Sequence, residues 1–117
     1  MADSLNLVKG TLDALVLKAL SWAPMHGFEI TTWLEERSRG ALELKDSALY
    51  QALYRLEERG LVKAEWGVTE NNRRARYYGI TPAGRAHLEA ETSSFVRYAE
   101  VVAGILTASG RAEAVAR

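Results

Sequence analysis

The chain has 117 residues, 48% of them apolar and 26% charged, which is the composition of one ordinary globular domain. Its fifteen basic and fifteen acidic side chains cancel, and the absence of cysteine excludes disulfides and zinc–thiolate sites. No apolar run reaches the roughly 18 residues that a membrane helix needs, and residues 1–10 lack the pattern of a secretory signal, so we expect a cytoplasmic protein.

Two helices are predicted in the first third of the chain. Apolar residues recur every three or four positions between Leu5 and Leu20, and we expect the regular part of this first helix to begin near Thr11. A second helix is predicted from about His26 to Ser38. Its buried face is expected to carry Ile30, Trp33 and Leu34.

The third predicted helix has a clear division into two faces. Asp46 is expected to be its N-cap, and Gly60 is expected to end it. The predicted buried stripe consists of Leu49, Ala52, Leu53 and Leu56. Ser47, Gln51 and Tyr54 point the opposite way, flanked by Tyr50 and Arg55. Three short helices in this order indicate a helix-turn-helix.

A two-stranded β-hairpin is predicted next, with strands at Leu61 to Trp66 and Ala75 to Ile80 around a polar loop. Helix, helix, helix and hairpin is the order of a winged helix-turn-helix, in which the third helix enters a DNA groove and the hairpin, or wing, follows the backbone. We therefore expect a mainly α fold whose DNA-binding region spans residues 1–80, with 109–117 as a flexible tail.

A long last helix is predicted over residues 81–108, with Thr81 as N-cap and Pro82 at its first position. Its apolar and small residues follow a four-then-three spacing, which is typical of a seam for one partner helix. We expect this helix to form a homodimer. The seam residues are Leu88, Thr92, Phe95, Ala99, Val102 and Leu106.

The wing concentrates positive charge in an otherwise neutral chain, since Arg73, Arg74 and Arg76 fall within four positions. The planar guanidinium of arginine can hold two phosphate oxygens at once and stays charged. Asn72 lies at the predicted tip, where asparagine tolerates a left-handed backbone and can also donate to phosphate. Alternatively, three exposed arginines merely keep an edge strand soluble.

Four segments of the sequence occur in the order HGFEI (His26 to Ile30), ALYQALYRLEERGLV (Ala48 to Val62), EWG (Glu65 to Gly67) and RRARYYGITPAGR (Arg73 to Arg85). Together they resemble the PadR family of bacterial transcriptional regulators, and the single short last helix resembles its smaller subfamily. The resemblance covers about residues 9 to 106. It implies a homodimeric winged helix-turn-helix protein, usually a repressor that a small molecule releases from its operator.

The resemblance also assigns residues, since Tyr50 and Arg55 occupy positions of the family's helix motif and the three arginines its wing positions. Two departures stand out, because the family commonly has Gly-Thr where this chain has Ser47-Ala48, and proline where it has Gln51. An outward glutamine can make paired hydrogen bonds to adenine. The full set of expected DNA contacts is Lys45, Ser47, Tyr50, Gln51, Tyr54, Arg55, Asn72, Arg73, Arg74 and Arg76.

Three of these expectations are more detailed. Of Tyr50 and Tyr54 we expect one, Tyr50, at DNA and the other packed on the wing. Ser47 and Gln51 read base edges, unless this is simply a solvated face. Glu58 would repel phosphate, so only the N-terminal half of the third helix is expected to enter the groove.

Phe95 lies in the middle of the seam, where a residue near the two-fold axis of a dimer meets its own copy. The resemblance implies that an aromatic residue here sandwiches planar hydrophobic effectors; the alternative is a filled interface with Phe95 as a plain anchor. The residues expected at the interface or in this pocket are Leu88, Phe95, Ala99, Val102 and Leu106.

Catalytic and metal-binding machinery is not evident. His26 with Glu29, and His87 with Glu91, have a spacing that suits a helix-start pairing better than a metal site, and no phosphate-loop, HExxH or GxSxG motif occurs. Trp22, Trp33 and Trp66 are expected to pack in the core and at strand ends. We predict a cofactor-free, sequence-specific DNA-binding repressor that recognises an inverted repeat; the alternative is a winged-helix module that binds a protein.

Overall fold

The computed structural model describes Leu7 and residues 10–111. Leu5, which was predicted to begin the first apolar stripe, and residues 112–117 of the predicted tail lie outside that part. The described elements follow the predicted order, with one additional short strand. They are α1 (Thr11–Leu20), β1 (Met25–His26), α2 (Gly27–Arg37), α3 (Asp46–Glu58), β2 (Val62–Val68), β3 (Arg74–Ile80) and α4 (Pro82–Leu106).

The core forms where α1, α2 and α3 pack together against the base of the sheet. The predicted stripe of α3 is buried, and so are Ile30 and Leu34 of the α2 stripe. Leu17 of α1, which the predicted stripe had left out, is buried as well. Burying each large side chain contributes about 1.5 to 3 kcal/mol. The core consists of Val16, Leu17, Ala19, Leu20, Ile30, Leu34, Leu49, Ala52, Leu53, Leu56, Leu61, Val62 and Tyr78.

The helix starts differ in how they are capped. His26 caps α2: its Nδ1 accepts from the Glu29 N–H at 3.4 Å, while Glu29 Oε1 accepts from the His26 N–H at 3.1 Å. This confirms the predicted helix-start pairing. The predicted N-cap of α3 was wrong, because Lys45 holds that position without a side-chain cap and Asp46 is the first helical residue. Asp46 still favours the helix, since a negative charge in the first turn opposes the positive end of the helix dipole.

The wing, defined as β2, β3 and the tip between them, has the predicted hairpin form. Its strands are antiparallel, with Val62 opposite Ile80 and Val68 opposite Arg74. At the tip Asn72 has φ of 63°, the left-handed conformation expected there. The sheet has a third strand that the sequence did not reveal, because β1 pairs antiparallel with β3 and the strand order is β1-β3-β2.

Helix α4 begins at a fixed point beside the end of α3. Thr81 caps it as predicted: its Oγ1 accepts from the Gly84 N–H at 3.0 Å and donates to the Gly60 carbonyl at 2.8 Å. Gly84 is buried, and a Cβ there would collide with the carbonyl oxygen of Leu61. The position of α4 is therefore tied to the C-terminal end of α3.

Most of α4 projects beyond the core, since its 25 residues have a length of roughly 37 Å at the usual helical rise. Leu88 packs against the core, but the later apolar side chains stay exposed. They form a wider apolar surface than the predicted seam. The exposed residues are Phe95, Val96, Tyr98, Val101, Ile105 and Leu106.

The expected packing of the tryptophans was wrong for two of the three. Trp33 is partly buried against the core, but Trp22 and Trp66 are each 63% exposed. The Lys18 ammonium lies over the Trp22 ring, 5.0 Å from the ring centroid. Within the described residues, no helix is long and apolar enough to cross a membrane, and no group of three or more His, Cys, Asp or Glu side chains could hold a metal.

Candidate nucleic-acid interface

The outer face of α3 is open to solvent, because its other face carries the buried leucine stripe. Ser47, Gln51 and Tyr54 are exposed, as is Lys45 immediately before the helix. Glu58 is exposed one turn beyond Tyr54, at the C-terminal end of this face. We call this surface the recognition face. With its flanking residues it forms a shallow depression lined by Ser47, Tyr50, Gln51, Tyr54 and Arg55.

The two tyrosines of the recognition face have different environments. Tyr50 is half-exposed, and its hydroxyl lies directly against Gly27, the first residue of α2. A Cβ at Gly27 would overlap this hydroxyl and come within 2.9 Å of Cζ of the Tyr50 ring. Tyr54 is 64% exposed. The packed tyrosine is therefore Tyr50 rather than Tyr54, and it packs against α2.

Arg55 is held by an ion pair to α1. Its Nη2 donates to Asp13 Oδ1 at 2.7 Å and its Nε to Asp13 Oδ2 at 3.3 Å. The hydrogen bond to Asp13 raises the pKa of Arg55, opposed by the partial loss of solvent around the guanidinium and assisted by the negative charge of Asp13. Half of the Arg55 side chain remains exposed. The predicted DNA contact thus has an intramolecular partner.

Arg76 connects the wing to α3. Its Nη2 donates to Glu57 Oε2 at 3.0 Å, and its guanidinium lies 5.8 Å from the ring centroid of Tyr78. Tyr78 is buried, and this burial raises the pKa of its hydroxyl. Arg76 therefore links β3 of the wing to α3, with 46% of its side chain still exposed.

The outer wing has two further exposed arginines, and their side chains differ in the contacts that they make. The guanidinium of Arg74 stacks 4.6 Å from the ring centroid of the exposed Trp66. Arg73 is exposed, and within the described residues its side chain has no hydrogen-bond, ionic or ring partner. Thr69 shapes the tip, because its N–H donates to the Arg73 carbonyl at 2.8 Å and its own carbonyl accepts from Asn72 at 2.9 Å. Asn72 is also exposed.

A groove of about 510 Å³ lies between α1 and α4, away from the recognition face. This volume falls within the roughly 300 to 1,000 Å³ range of pockets that take small molecules. Leu88 and Phe95 line the groove on α4, whereas Ala99, Val102 and Leu106 of the predicted interface pocket lie farther along the helix. We call this the α1–α4 groove. Its α1 wall consists of Gly10, Thr11, Ala14, Leu15 and Lys18.

Two elements of the site had no signal in the sequence. Asp13 lies 42 residues before its partner Arg55, and Glu57 lies 19 residues before Arg76. Neither carboxylate stands at a helical or cross-strand spacing from its arginine, so only the packing of α1 and the wing onto α3 brings the pairs together. The α1 wall of the groove was missed for the same reason.

Comparison with known proteins agrees with these features. A family model described as the transcriptional regulator PadR-like family matches residues 16–90. The chain is 36% identical over 80 residues to transcriptional regulator Rv3488 of Mycobacterium tuberculosis, which covers 68% of this chain and 71% of that protein. A solved PadR family transcriptional regulator from Eggerthella lenta has a TM-score of 0.74 at 26% identity, over 86% of each chain. Bacillus subtilis PadR, solved in complex with operator DNA, has a TM-score of 0.62 at 21% identity, over 70% of this chain and 47% of that chain.

Proposed function

We propose that this chain, which belongs to the PadR-like family of transcriptional regulators, binds duplex DNA through the recognition face and the wing. Members of this family regulate transcription and are not enzymes. The observation that carries the proposal is the exposed polar face of α3 beside a wing with exposed arginines. The fold is shared with Bacillus subtilis PadR, which has been solved with its operator.

The two parts of the surface have different tasks in this proposal. Arg73 and Arg74 contact phosphates, which attracts DNA of any sequence and sets the register of the protein on it. Gln51 and Ser47 contact base edges in the major groove. Gln51 has the donor and acceptor that pair with adenine. Lys45 and Tyr54 extend the contact along the backbone.

We further propose that the protein acts as a homodimer through α4. The exposed apolar residues of α4 support this, since apolar surface of this extent commonly marks an interaction site. A two-fold axis through α4 relates two recognition faces, so the operator is an inverted repeat. In the division of the chain that we propose, residues up to 80 bind DNA in the cytoplasm and α4 joins the subunits.

The α1–α4 groove supports a role for a planar hydrophobic effector that releases the repressor from DNA. Phe95 is half-exposed at this groove, where an aromatic ring can stack on a flat ligand. Such a ligand acts only through different affinities for the DNA-bound and free forms. Planar aromatic compounds should lower the operator affinity of the wild type but not that of Phe95→Ala. An equal response in both proteins would contradict the assignment of the α1–α4 groove as the effector site.

Selection of duplexes from a random library by the purified protein tests the proposed function. We expect the wild type to enrich one sequence with two inverted halves. Gln51→Ala should enrich sequences with altered preference at the contacted base pair, because a bidentate base contact contributes about 1 to 3 kcal/mol of discrimination. Enrichment of no sequence would contradict specific DNA recognition and favour the protein-binding module.

A further inference from the structure

Asp13 and Arg55 form an ion pair that joins α1 to the edge of the recognition face. We propose that Asp13 is a positioning residue, which holds the Arg55 guanidinium so that its free end binds a DNA phosphate. This inference rests on the proposed function, since it needs DNA on the recognition face. It adds a residue of α1, outside the recognition face and the wing, to the recognition of DNA.

The geometry of the pair leaves one end of the guanidinium available. A guanidinium has five N–H donors in a rigid plane. Asp13 takes the donors on one side, namely Nε and one hydrogen of Nη2. The two hydrogens of Nη1 and the second of Nη2 have no other acceptor within the described residues. These donors form a second fork, which matches a pair of phosphate oxygens.

The Asp13 carboxylate has a well-defined position because α1 packs in the core. Val16 and Leu17, three and four residues after Asp13, are fully buried. The Asp13 side chain is only 18% exposed, whereas that of Arg55 is 50% exposed. An arginine that is held before DNA arrives loses less rotamer freedom on binding, and this preorganisation increases affinity.

The position of Arg55 favours phosphate over a base edge. Arg55 lines the same depression as Ser47 and Gln51, but it lies in the third turn of α3, next to α1. The N-terminal residues of a recognition helix approach the bases, while later turns lie closer to the backbone. A phosphate beside Arg55 would place α1 along the DNA strand that flanks the groove.

A simple neutralising role for Asp13 makes the opposite prediction. If the carboxylate only cancels the charge of Arg55, its removal frees a cation and strengthens DNA binding. If it positions the guanidinium, its removal weakens binding, but only while Arg55 is present. A double-mutant cycle separates the two cases.

The experiment measures Kd on a selected operator, at fixed salt, for the wild type, Asp13→Ala, Arg55→Ala and the double variant. We expect about a 10- to 100-fold loss for Arg55→Ala, from one charged hydrogen-bonded contact. Asp13→Ala should lose about 3- to 10-fold, the cost of ordering one long side chain. In the Arg55→Ala background, Asp13→Ala should cause no further loss.

Equal or tighter binding by Asp13→Ala, or the same loss in both backgrounds, would overturn the positioning role while leaving the proposed function intact. Absence of DNA binding by the wild type would overturn both. Glu36→Ala is the matched control, because it removes one exposed acidic charge from α2 and should leave Kd unchanged. Asp13→Asn, which keeps the shape and one acceptor, should retain the fold by circular dichroism and bind with intermediate affinity.

Modified operators identify the atom that Arg55 contacts. A methylphosphonate removes the charge of one phosphate, and at the contacted position it should weaken the wild type but not Arg55→Ala. A 7-deazaguanine substitution removes the N7 acceptor of guanine and should affect the two proteins equally. If Arg55→Ala is insensitive to 7-deazaguanine where the wild type is sensitive, Arg55 reads a base and the phosphate assignment is wrong.

Discussion

Tyr50 occupies a position of the family's helix motif, and its hydroxyl lies against Gly27 while half of its side chain stays exposed. The tyrosine therefore has a structural task, which is to hold the first turn of α2 beside α3. It keeps an exposed edge on the recognition face as well. Gly27 is needed because of close approach: its backbone leaves room for the Tyr50 ring that any larger residue would remove.

Gly27→Ala tests this packing directly. The added Cβ overlaps the Tyr50 hydroxyl, so this half-exposed ring must move, and we expect the free energy of unfolding to fall by about 1 kcal/mol, the low end for overpacked sites. In a Tyr50→Ala background the same change should have little effect, since the ring is gone. Gly79→Ala is the matched control, because the nearest atom to a Cβ there is Pro24 Cγ at 3.9 Å.

Chemical denaturation of the four Gly27 and Tyr50 combinations provides the free energies for this test. An equal loss in both Tyr50 backgrounds would mean that Gly27 is needed for a reason other than the tyrosine. A loss in Gly79→Ala as large as that in Gly27→Ala would show that any added methyl group is harmful in this region.

Among the helices and strands, the sequence predicted those segments that are determined by interactions between residues close together in the chain. The buried stripe of α3, the Thr81–Pro82 helix start and the hairpin of the wing follow from spacing, caps and turn residues, and the structure confirms them. Strand β1 was missed, because two residues have no periodicity and their pairing with β3 depends on tertiary contact. The exposure of Trp66 was missed because its partner, the Arg74 guanidinium, lies on the other strand.

The wing is expected to supply the salt-dependent part of DNA binding. Arg73→Ala and Arg74→Ala should each weaken binding to all sequences and reduce the slope of log K against log salt by about one unit per subunit of the dimer. Arg97→Ala is the control, since Arg97 is an exposed arginine of α4 far from the wing. An unchanged slope in the Arg73, Arg74 double variant would indicate that the arginines only keep the wing soluble.

At the scale of the whole molecule, two helices connect the recognition face to distant surfaces. Helix α4 is fixed to the end of α3 by Thr81 and Gly84, so its direction sets where the recognition face lies in a dimer. Helix α1 lines the α1–α4 groove and also holds Arg55 through Asp13. Neither connection follows from sequence spacing, because both depend on which helices meet in space. In the proposed function they form a physical route from an effector in the groove to the DNA contacts.

Val102→Asp tests the dimer that this arrangement requires. Val102 is partly buried in the isolated chain, on the predicted seam of α4. A carboxylate there would be buried without a partner in the interface, which is strongly unfavourable. Sedimentation should show a monomer at micromolar concentration, whereas Arg97→Asp, on another face of α4, should remain dimeric. A Val102→Asp dimer as stable as the wild type would place the interface elsewhere.

In the proposed complex a dimer presents two recognition faces to DNA, and a hydroxyl-radical footprint on the selected operator tests this geometry. The dimer should protect two half-sites related by a two-fold axis, with centres separated by about one helical turn, roughly 10 bp, or a multiple of it. Protection by the wing should flank each half. A single protected segment without two-fold symmetry would contradict the proposed dimer on DNA.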